Sequence, residues 1–406
     1  MTPQVLVTHP GRQHSHQAAL ALELEGMLAG YWSGVPAIAE QTRWVPPKLR
    51  GRLARYAPMP LPPRRVRWFP LTPALRRIGD AALPHGEAAW IDFVACRMFD
   101  HWAAAGLRRA GTDAVIACEI SALATFRAAR RLGMVTILDA PSLHHRVQDR
   151  LHGTADPPRL HRRIVRVKDQ EIAGADHVLT VSPLARETYL EAGVPAEKVH
   201  AVTLGADLEL FAPRAEPAQA AAEGNRDFLF LFSGAAIRRK GFDLLLDAFD
   251  RVGAAEPAAR LRLAGPLGDG GRLLASRPTQ RISAAGPLSQ AELARELRDA
   301  DCLVLPSRND SFGMVVPEAL ASGLPVLVSD MVGAKELVAA GRNGWIVPAG
   351  DAGALAEQMI WCVRHPEEVR AMRAECRSSA AAAAWPVYHH HLTALLRGIA
   401  VRKAAA

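Results

Sequence analysis

The 406-residue chain is short of cysteine and aromatics, and it has no long uninterrupted apolar run. Its five cysteines (Cys96, Cys118, Cys302, Cys362, Cys376) are scattered, with no Cys-x-x-Cys spacing. A sparse, odd count suits a reducing compartment and argues against a disulfide framework or a cysteine zinc site. No window approaches the ~18 consecutive apolar residues that a membrane span needs. The opening MTPQVLVTHPGRQHSH lacks a basic segment followed by an apolar one, so a secretory leader is not expected and a cytoplasmic protein is. Acid is missing from one long stretch: from Arg43 to Arg77 there are ten Lys/Arg and no Asp or Glu.

What is there is ordinary for a globular protein, with 49% apolar and 22% charged residues. The length exceeds one core and fits two domains of roughly 200 residues. The net charge of +8 and pI near 9.6 point to an anionic partner. Trp44, Tyr56, Trp68 and Phe69 are interleaved with the cations of Arg43–Arg77, and prolines break any long helix there. Two readings stand: a solvated, irregular surface, or contact with an anionic membrane face, where basic residues beside interfacial aromatics suit lipid headgroups. No nucleic-acid module is present, so nucleic acid is not an expected partner.

Short continuous apolar runs alternate with helical patterns. Strands are expected at Gln4–Thr8, Asp113–Cys118, Met134–Ala140, His177–Ser182 and Val199–Gly205. A second series is expected at Phe228–Gly234, Arg260–Gly265, Arg281–Gly286, Cys302–Ser307 and Pro325–Asp330. Unbroken runs suit parallel strands covered on both faces. SALATFRAARRLG and SQAELARELRDA read as helices, the second opening with Ser289 and Glu292 at capping-box spacing, and the Ala run Ser378–Ala384 also reads as helix. The alternation predicts α/β architecture, two doubly wound domains facing across a cleft. The first spans 1–210 plus a C-terminal helix 385–406, the linker is 211–227, and the second domain is 228–384.

In such sheets ligands sit beyond the carboxyl ends of the strands. After CLVLPS come Asp310, the Phe312-Gly313 step and a helix start carrying Glu318. A helix N-terminus offers free N–H groups to phosphate, and glycine lets an anion approach the backbone. The two acids suit sugar and ribose hydroxyls instead. After the domain's first strand, SGAAIRRKGF places Arg238, Arg239 and Lys240 before Gly241, cations able to neutralise a diphosphate leaving group. Each feature alone is open to a blander account: two acids by coincidence, and a solvated basic loop.

Together, SG…RRKGFDLLLDAF, RLRLAGPLG, AGPLSQAELARELRDADCLVLPS, DSFGMVVPEALASGLPVLVSD and GAKELVAAGRNGWIVPAGD resemble, in order and spacing, the C-terminal domain of retaining, family-4-type glycosyltransferases (group 1) with the GT-B fold. The resemblance implies that Lys240 binds the donor diphosphate, Glu318 the nucleotide ribose, and the backbone of Gly313, Met314 and Val315 phosphate. Asp310 would sit beside the donor sugar, and Glu336 falls where the family often carries an acid. Two departures stand out. The family's first acid is usually Glu, and here it is Asp310. The arginine often found after the first strand's glycine is Ala235, with Arg238 or Arg239 as substitutes. The implied activity moves a hexose from a nucleotide diphosphate sugar to a hydroxyl of a glycan or lipid-linked acceptor, with retention. The departing diphosphate itself would take the acceptor's proton. No cofactor and no metal are expected. A GT-B phosphorylase or epimerase, or a silent nucleotide-sugar-binding subunit, are the alternatives.

In the first domain, THPGRQHSHQ clusters His9, His14 and His16 around Gly11 at a strand tip. A loop with surface histidines is the plain reading. Metal binding finds no acidic or Cys ligand in the segment. By the resemblance, Gly11 and His14 belong to a loop facing acceptor and donor phosphates. ILDAPSLHHRVQDRL offers Asp139, Ser142, His144 and His145, and the resemblance selects His144 as the histidine close to the donor sugar. The basic Arg43–Arg77 segment would hold the enzyme loosely at the inner membrane face.

Overall fold

The computed structural model describes residues 2–36, 38, 41, 59–82, 85–152, 158–213, 227–268, 270–277 and 280–405. Two compact units emerge. One comprises Met1–Thr180, Tyr189–Val202 and Tyr388–Ala406, the other Val181–Thr188 and Thr203–Val387. Residues 214–226, most of the expected linker, lie outside the described residues.

The first unit is built on β1 (Val5–His9), β2 (Leu28–Ser33), β3 (Val66–Trp68), β4 (Ala114–Cys118), β5 (Val135–Ala140), β6 (His177–Thr180) and β7 (Val199–Ala201). They form one sheet in the order β3-β2-β1-β4-β5-β6-β7, every neighbouring pair parallel. Leu6, Val115, Ala117, Leu138 and Val178 meet Phe126, Ala129, Ile172 and Tyr189 in its core. That both-sided burial explains the continuous apolar runs. The final helix, Trp385–Ala405, has Pro386 at its second position, where a fixed φ suits a first helical turn and no backbone donor is lost. Its later residues join this unit through His389 to Gln17 at 2.9 Å and Arg397 to Glu25 at 2.5 Å. The Ala run before it is helical only to Ala380, then tightens into a 3-10 turn, Ala381–Ala383.

The second unit has β8 (Phe228–Ser233), β9 (Ala259–Ala264), β10 (Ile282–Gly286), β11 (Cys302–Leu305), β12 (Val326–Ser329) and β13 (Gly344–Val347), in the order β10-β9-β8-β11-β12-β13. Numbered from its own first strand this is 3-2-1-4-5-6, the doubly wound order, all parallel. The helix Gln290–Asp299 carries the anticipated capping box, Ser289 and Glu292 each accepting from the other's backbone N–H.

In the first unit, the helix Leu123–Arg131 that follows β4 has its amino end filled by two buried carboxylates from other helices. Glu171 accepts from the N–H of Ile120 (2.7 Å), Ala122 (2.9 Å) and Leu123 (3.1 Å). Asp100 accepts from Ala124 (2.8 Å) and Thr125 (2.9 Å). Arg97 binds Asp100 at 2.7 Å. Burial pushes the Glu171 carboxyl up to about 7, against the pull of its backbone donors.

The basic stretch is compensated in part where it is described. Arg65 pairs with Glu23 and Arg76 with Asp92, and Arg67 lies over the Trp32 ring at 4.9 Å. Phe69 stacks on Trp102, ring centroids 5.3 Å apart. For Arg65 and Arg76 the missing acids are supplied by distant sequence. Arg43, Trp44, Lys48, Arg50, Arg52, Arg55 and Tyr56 lie outside the described residues. No described helix is long and apolar enough to cross a membrane.

Candidate functional site

In the second unit the strand order reverses between β8 and β11, and the loops after these two strands carry the expected charges. After β8 the chain makes a 3-10 turn, Arg238–Lys240, ended by Gly241 at φ +69°. A Cβ at Gly241 would lie 1.9 Å from the Pro306 carbonyl oxygen, so only glycine lets the two loops meet. The meeting brings Lys240 Nζ onto Asp310 Oδ2 in a direct ion pair. Arg239 does not stand free: its guanidinium donates to the Asn309 carbonyl at 3.2 Å, and its own carbonyl accepts from Arg308 N–H at 2.9 Å. Arg308 grips Asp243 with both terminal nitrogens, at 2.5 and 2.9 Å. Arg238 is exposed.

Asp310 is buried and fixed by its backbone, donating to Met331 and accepting from Gly333, each at 2.9 Å. Gly313 has φ +88°, and a Cβ there would meet Val332 Cγ1 at 2.9 Å. The short helix Val315–Ala321 starts directly after Met314. Glu318 on it is 5% exposed, and burial pushes its carboxyl up to about 8, a Gln290 hydrogen bond pulling slightly the other way. At neutral pH it is a protonated acid, able both to donate and to accept. Glu336 is exposed on the turn Gly333–Leu337.

In the first unit the loop after β1 folds onto β5. His14 Nε2 meets Asp139 Oδ1 at 2.9 Å, both side chains nearly buried, at 9% and 8% exposure. Burial works against a charge on His14, but the charge and hydrogen bond of Asp139 outweigh it and lift the imidazole above its ordinary value. Burial would likewise raise Asp139, and His14 reverses this to leave the carboxyl below the usual range. Gly11 donates its N–H to His9 Nδ1 at 2.8 Å. Burial, and His14 beside it, hold His9 down at about 4. His16 is also held at about 4, by burial and Arg12.

The structure corrects the ligand count around His9. Cys118 and Asp139, both remote in sequence, bring ligand atoms within 4.8 Å of it. Their chemistry still does not suit a cation. His9 Nδ1 accepts from Gly11, which leaves its buried Nε2 carrying the proton, and Asp139 is taken by His14.

His144 lies elsewhere in the same unit. Its ring stacks on His145 (4.2 Å) and meets Tyr189 edge-on (5.0 Å). It lines a cavity of about 350 Å³ with Arg146, Asp169, Ile172, Val194 and Lys198. Burial, then His145 and Arg146, hold it at about 4. Ser142 instead joins Glu119 (2.5 Å) and Lys168 (3.2 Å), and Lys168 pairs with Glu119 at 2.9 Å. The partnerships of Asp139, Glu119 and Lys168 were not visible in the sequence, since each joins segments more than twenty residues apart.

Residues 214–379 match the family model described as glycosyl transferases group 1. Among curated relatives, D-inositol 3-phosphate glycosyltransferase 1 of Catenulispora acidiphila is 32% identical over 251 residues, covering 56% of this chain and 60% of that protein. A GDP-mannose-dependent alpha-mannosyltransferase of Mycobacterium tuberculosis is 30% identical over 215 residues, covering 52% and 54%. The chain thus spans less than two thirds of the length of these relatives. Among solved structures, the sucrose-phosphate synthase of Thermosynechococcus elongatus matches with a TM-score of 0.74 at 21% identity over 100% of both chains. That likeness concerns the fold, which is GT-B with two Rossmann-like domains. Over residues 214–379 the chain is thus similar to the glycosyl transferases group 1 family.

Proposed function

We propose that the protein is a retaining glycosyltransferase that moves a hexose from a nucleotide diphosphate sugar to a hydroxyl of a glycan or lipid-linked acceptor. The observation that carries this reading is the ion pair of Lys240 with Asp310 at the strand-order reversal of the second unit, with the buried Glu318 on the helix that follows the same loop. A neutral carboxyl that can donate and accept matches the two hydroxyls of a ribose. Lys240 is the cation for the diphosphate, and the backbone of Gly313, Met314 and Val315 supplies N–H groups. Asp310 holds Lys240 until the donor's phosphate takes its place, and is then released toward the donor sugar. The relative named for GDP-mannose favours a nucleotide-activated hexose, and those named for inositol 3-phosphate favour a polyol acceptor. Arg239 acts by holding the Asn309 loop. Gly11 and His14 belong to the acceptor side.

Lysine and helix-terminal N–H groups already supply positive charge, so turnover is expected to survive a chelator. The cations of Arg43–Arg55 would hold the enzyme at an anionic, cytoplasmic membrane face. A panel of UDP-, GDP- and ADP-sugars, with product anomers read by NMR, identifies donor and stereochemistry. Lys240→Ala is expected to keep the fold and lose roughly 30- to 1,000-fold in rate, the worth of one charge-assisted contact in a desolvated site. Near wild-type turnover in that variant would refute the site.

A further inference from the structure

We infer that the helix His85–Gly106 of the first unit lays its outward face on an anionic lipid bilayer. Trp90, Val94 and Met98 enter among the headgroups, and arginines of a neighbouring helix meet the phosphates. This goes beyond the holding charge of Arg43–Arg55, because it assigns a described face that penetrates the lipid. A surface helix normally buries one apolar stripe and turns polar residues outward. This helix is apolar on both sides. Phe93, Cys96, Phe99 and Ala103 are buried, while Trp90, Val94 and Met98 remain 38%, 46% and 39% exposed. Their spacing of four places the three in one row along the helix. Nine large apolar side chains are exposed among the described residues, and a third of them stand in this row. Exposed apolar residues scattered singly are ordinary, and a contiguous row is not. Leu71 adds another on the helix Leu71–Ala82 packed alongside. Trp90 is braced edge-on by Phe93, ring centroids 6.2 Å apart.

The charge beside the row selects its occupant. The Arg163 guanidinium lies over the Phe93 ring, 5.9 Å from its centroid, which brings the helix Arg159–Gly174 next to the row. Arg159, Arg162, Arg163 and Arg166 are exposed on that helix at spacings of three and four, hence on one face. At the carboxyl end of His85–Gly106, Arg67 reaches Gly106, and Arg108 and Arg109 are exposed on the following turn. The acids nearby are already taken. Asp92 pairs with Arg76, and Asp169 with His145 and Arg146. An apolar row flanked by arginines matches a surface with phosphate outside and hydrocarbon beneath. No described helix is long and apolar enough to span, so this one lies on the bilayer.

The test uses the whole protein with Val94→Cys carrying a nitrobenzoxadiazole fluorophore, the native cysteines being buried. Leu132→Cys, exposed on the same unit, carries the control label. Vesicles of phosphatidylcholine alone are compared with vesicles that also contain phosphatidylglycerol. With the anionic vesicles the label at 94 should shift to the blue and resist an aqueous quencher, while the label at 132 does neither. Trp90→Ser with Met98→Ser should weaken partition by about ten-fold. Arg159→Gln with Arg163→Gln should weaken it by about 20-fold, at roughly five-fold per cation near an anionic surface. Urea midpoints near wild type certify that both variants fold. A wild-type protein that ignores anionic vesicles, or binds them with the label at 94 unshifted, would overturn the inference. So would a blue shift that grows with protein concentration in the absence of lipid, which would mark the face as a contact between copies of this chain. Partition needs neither donor nor acceptor, so its failure leaves the glycosyl-transfer reading standing.

Discussion

Replacing Glu318 by Gln keeps the shape of the side chain and removes its ability to ionise. The wild-type carboxyl is 5% exposed and shifted by burial from 4.5 to about 8. Below pH 4.5 it is neutral in the folded and unfolded chain alike, and both proteins should be similarly stable. Between 4.5 and about 8 the unfolded chain gives up the proton while the folded one keeps it. Unfolding then releases a proton, and wild-type stability falls by about 1.4 kcal/mol per pH unit. Across the whole window this amounts to about 5 kcal/mol, a large part of a domain's stability. The variant has no such loss. Urea denaturation of both proteins at pH 5, 7 and 9 should show a gap that widens steadily in favour of Glu318→Gln and levels above pH 8. A gap that stays constant from pH 5 to 9 would mean that Glu318 is ionised in the folded protein, and the reading of a protonated acid would fall with it. Activity should largely survive the change, since the amide, like the neutral carboxyl, can donate to one hydroxyl and accept from another.

Gly241→Ala places a Cβ 1.9 Å from the Pro306 carbonyl at φ +69°. It should cost at least about 3 kcal/mol by denaturation, or abolish folding, and a loss under 1 kcal/mol would contradict the loop contact. Liposome co-sedimentation at low salt should favour anionic over neutral vesicles, and replacing Arg43, Lys48, Arg50, Arg52 and Arg55 should remove the preference. Binding that ignores lipid charge would end the membrane proposal.

The fold was legible wherever local sequence decided it. β4 and β11 are unbroken apolar runs, β5 and β12 are mostly apolar, and all four could be read directly. β2, β3 and β13 could not. LAGYWS is interrupted by Gly30, which packs tightly against Arg65 and Leu6, while VRW is a three-residue edge strand bearing an exposed arginine. GWIV belongs to the recognised motif series but is too short to announce a strand by itself. The site divides the same way. Lys240, Asp310 and Glu318 stand in contiguous motifs, whereas the partnership of His14 and Asp139 spans 125 residues and exists only once the sheet is assembled. The compensation of Arg65 and Arg76 by Glu23 and Asp92 is equally a product of folding.

The carboxylates of Glu171 and Asp100 at the start of Leu123–Arg131 bear on how many nucleotides one chain can hold. That helix follows the fourth strand in its sheet's order, as Val315–Ala321 does in the other. Two sheets of like order invite the expectation of two seats for phosphate. In the first unit the seat is self-liganded: five N–H groups already point at the protein's own oxygens. An incoming phosphate would meet negative charge and no spare donors. In the second unit no carboxylate bonds the corresponding N–H groups among the described residues. The stoichiometry expected from calorimetric titration with a nucleoside diphosphate is therefore one per chain, so that the duplicated architecture carries a single nucleotide.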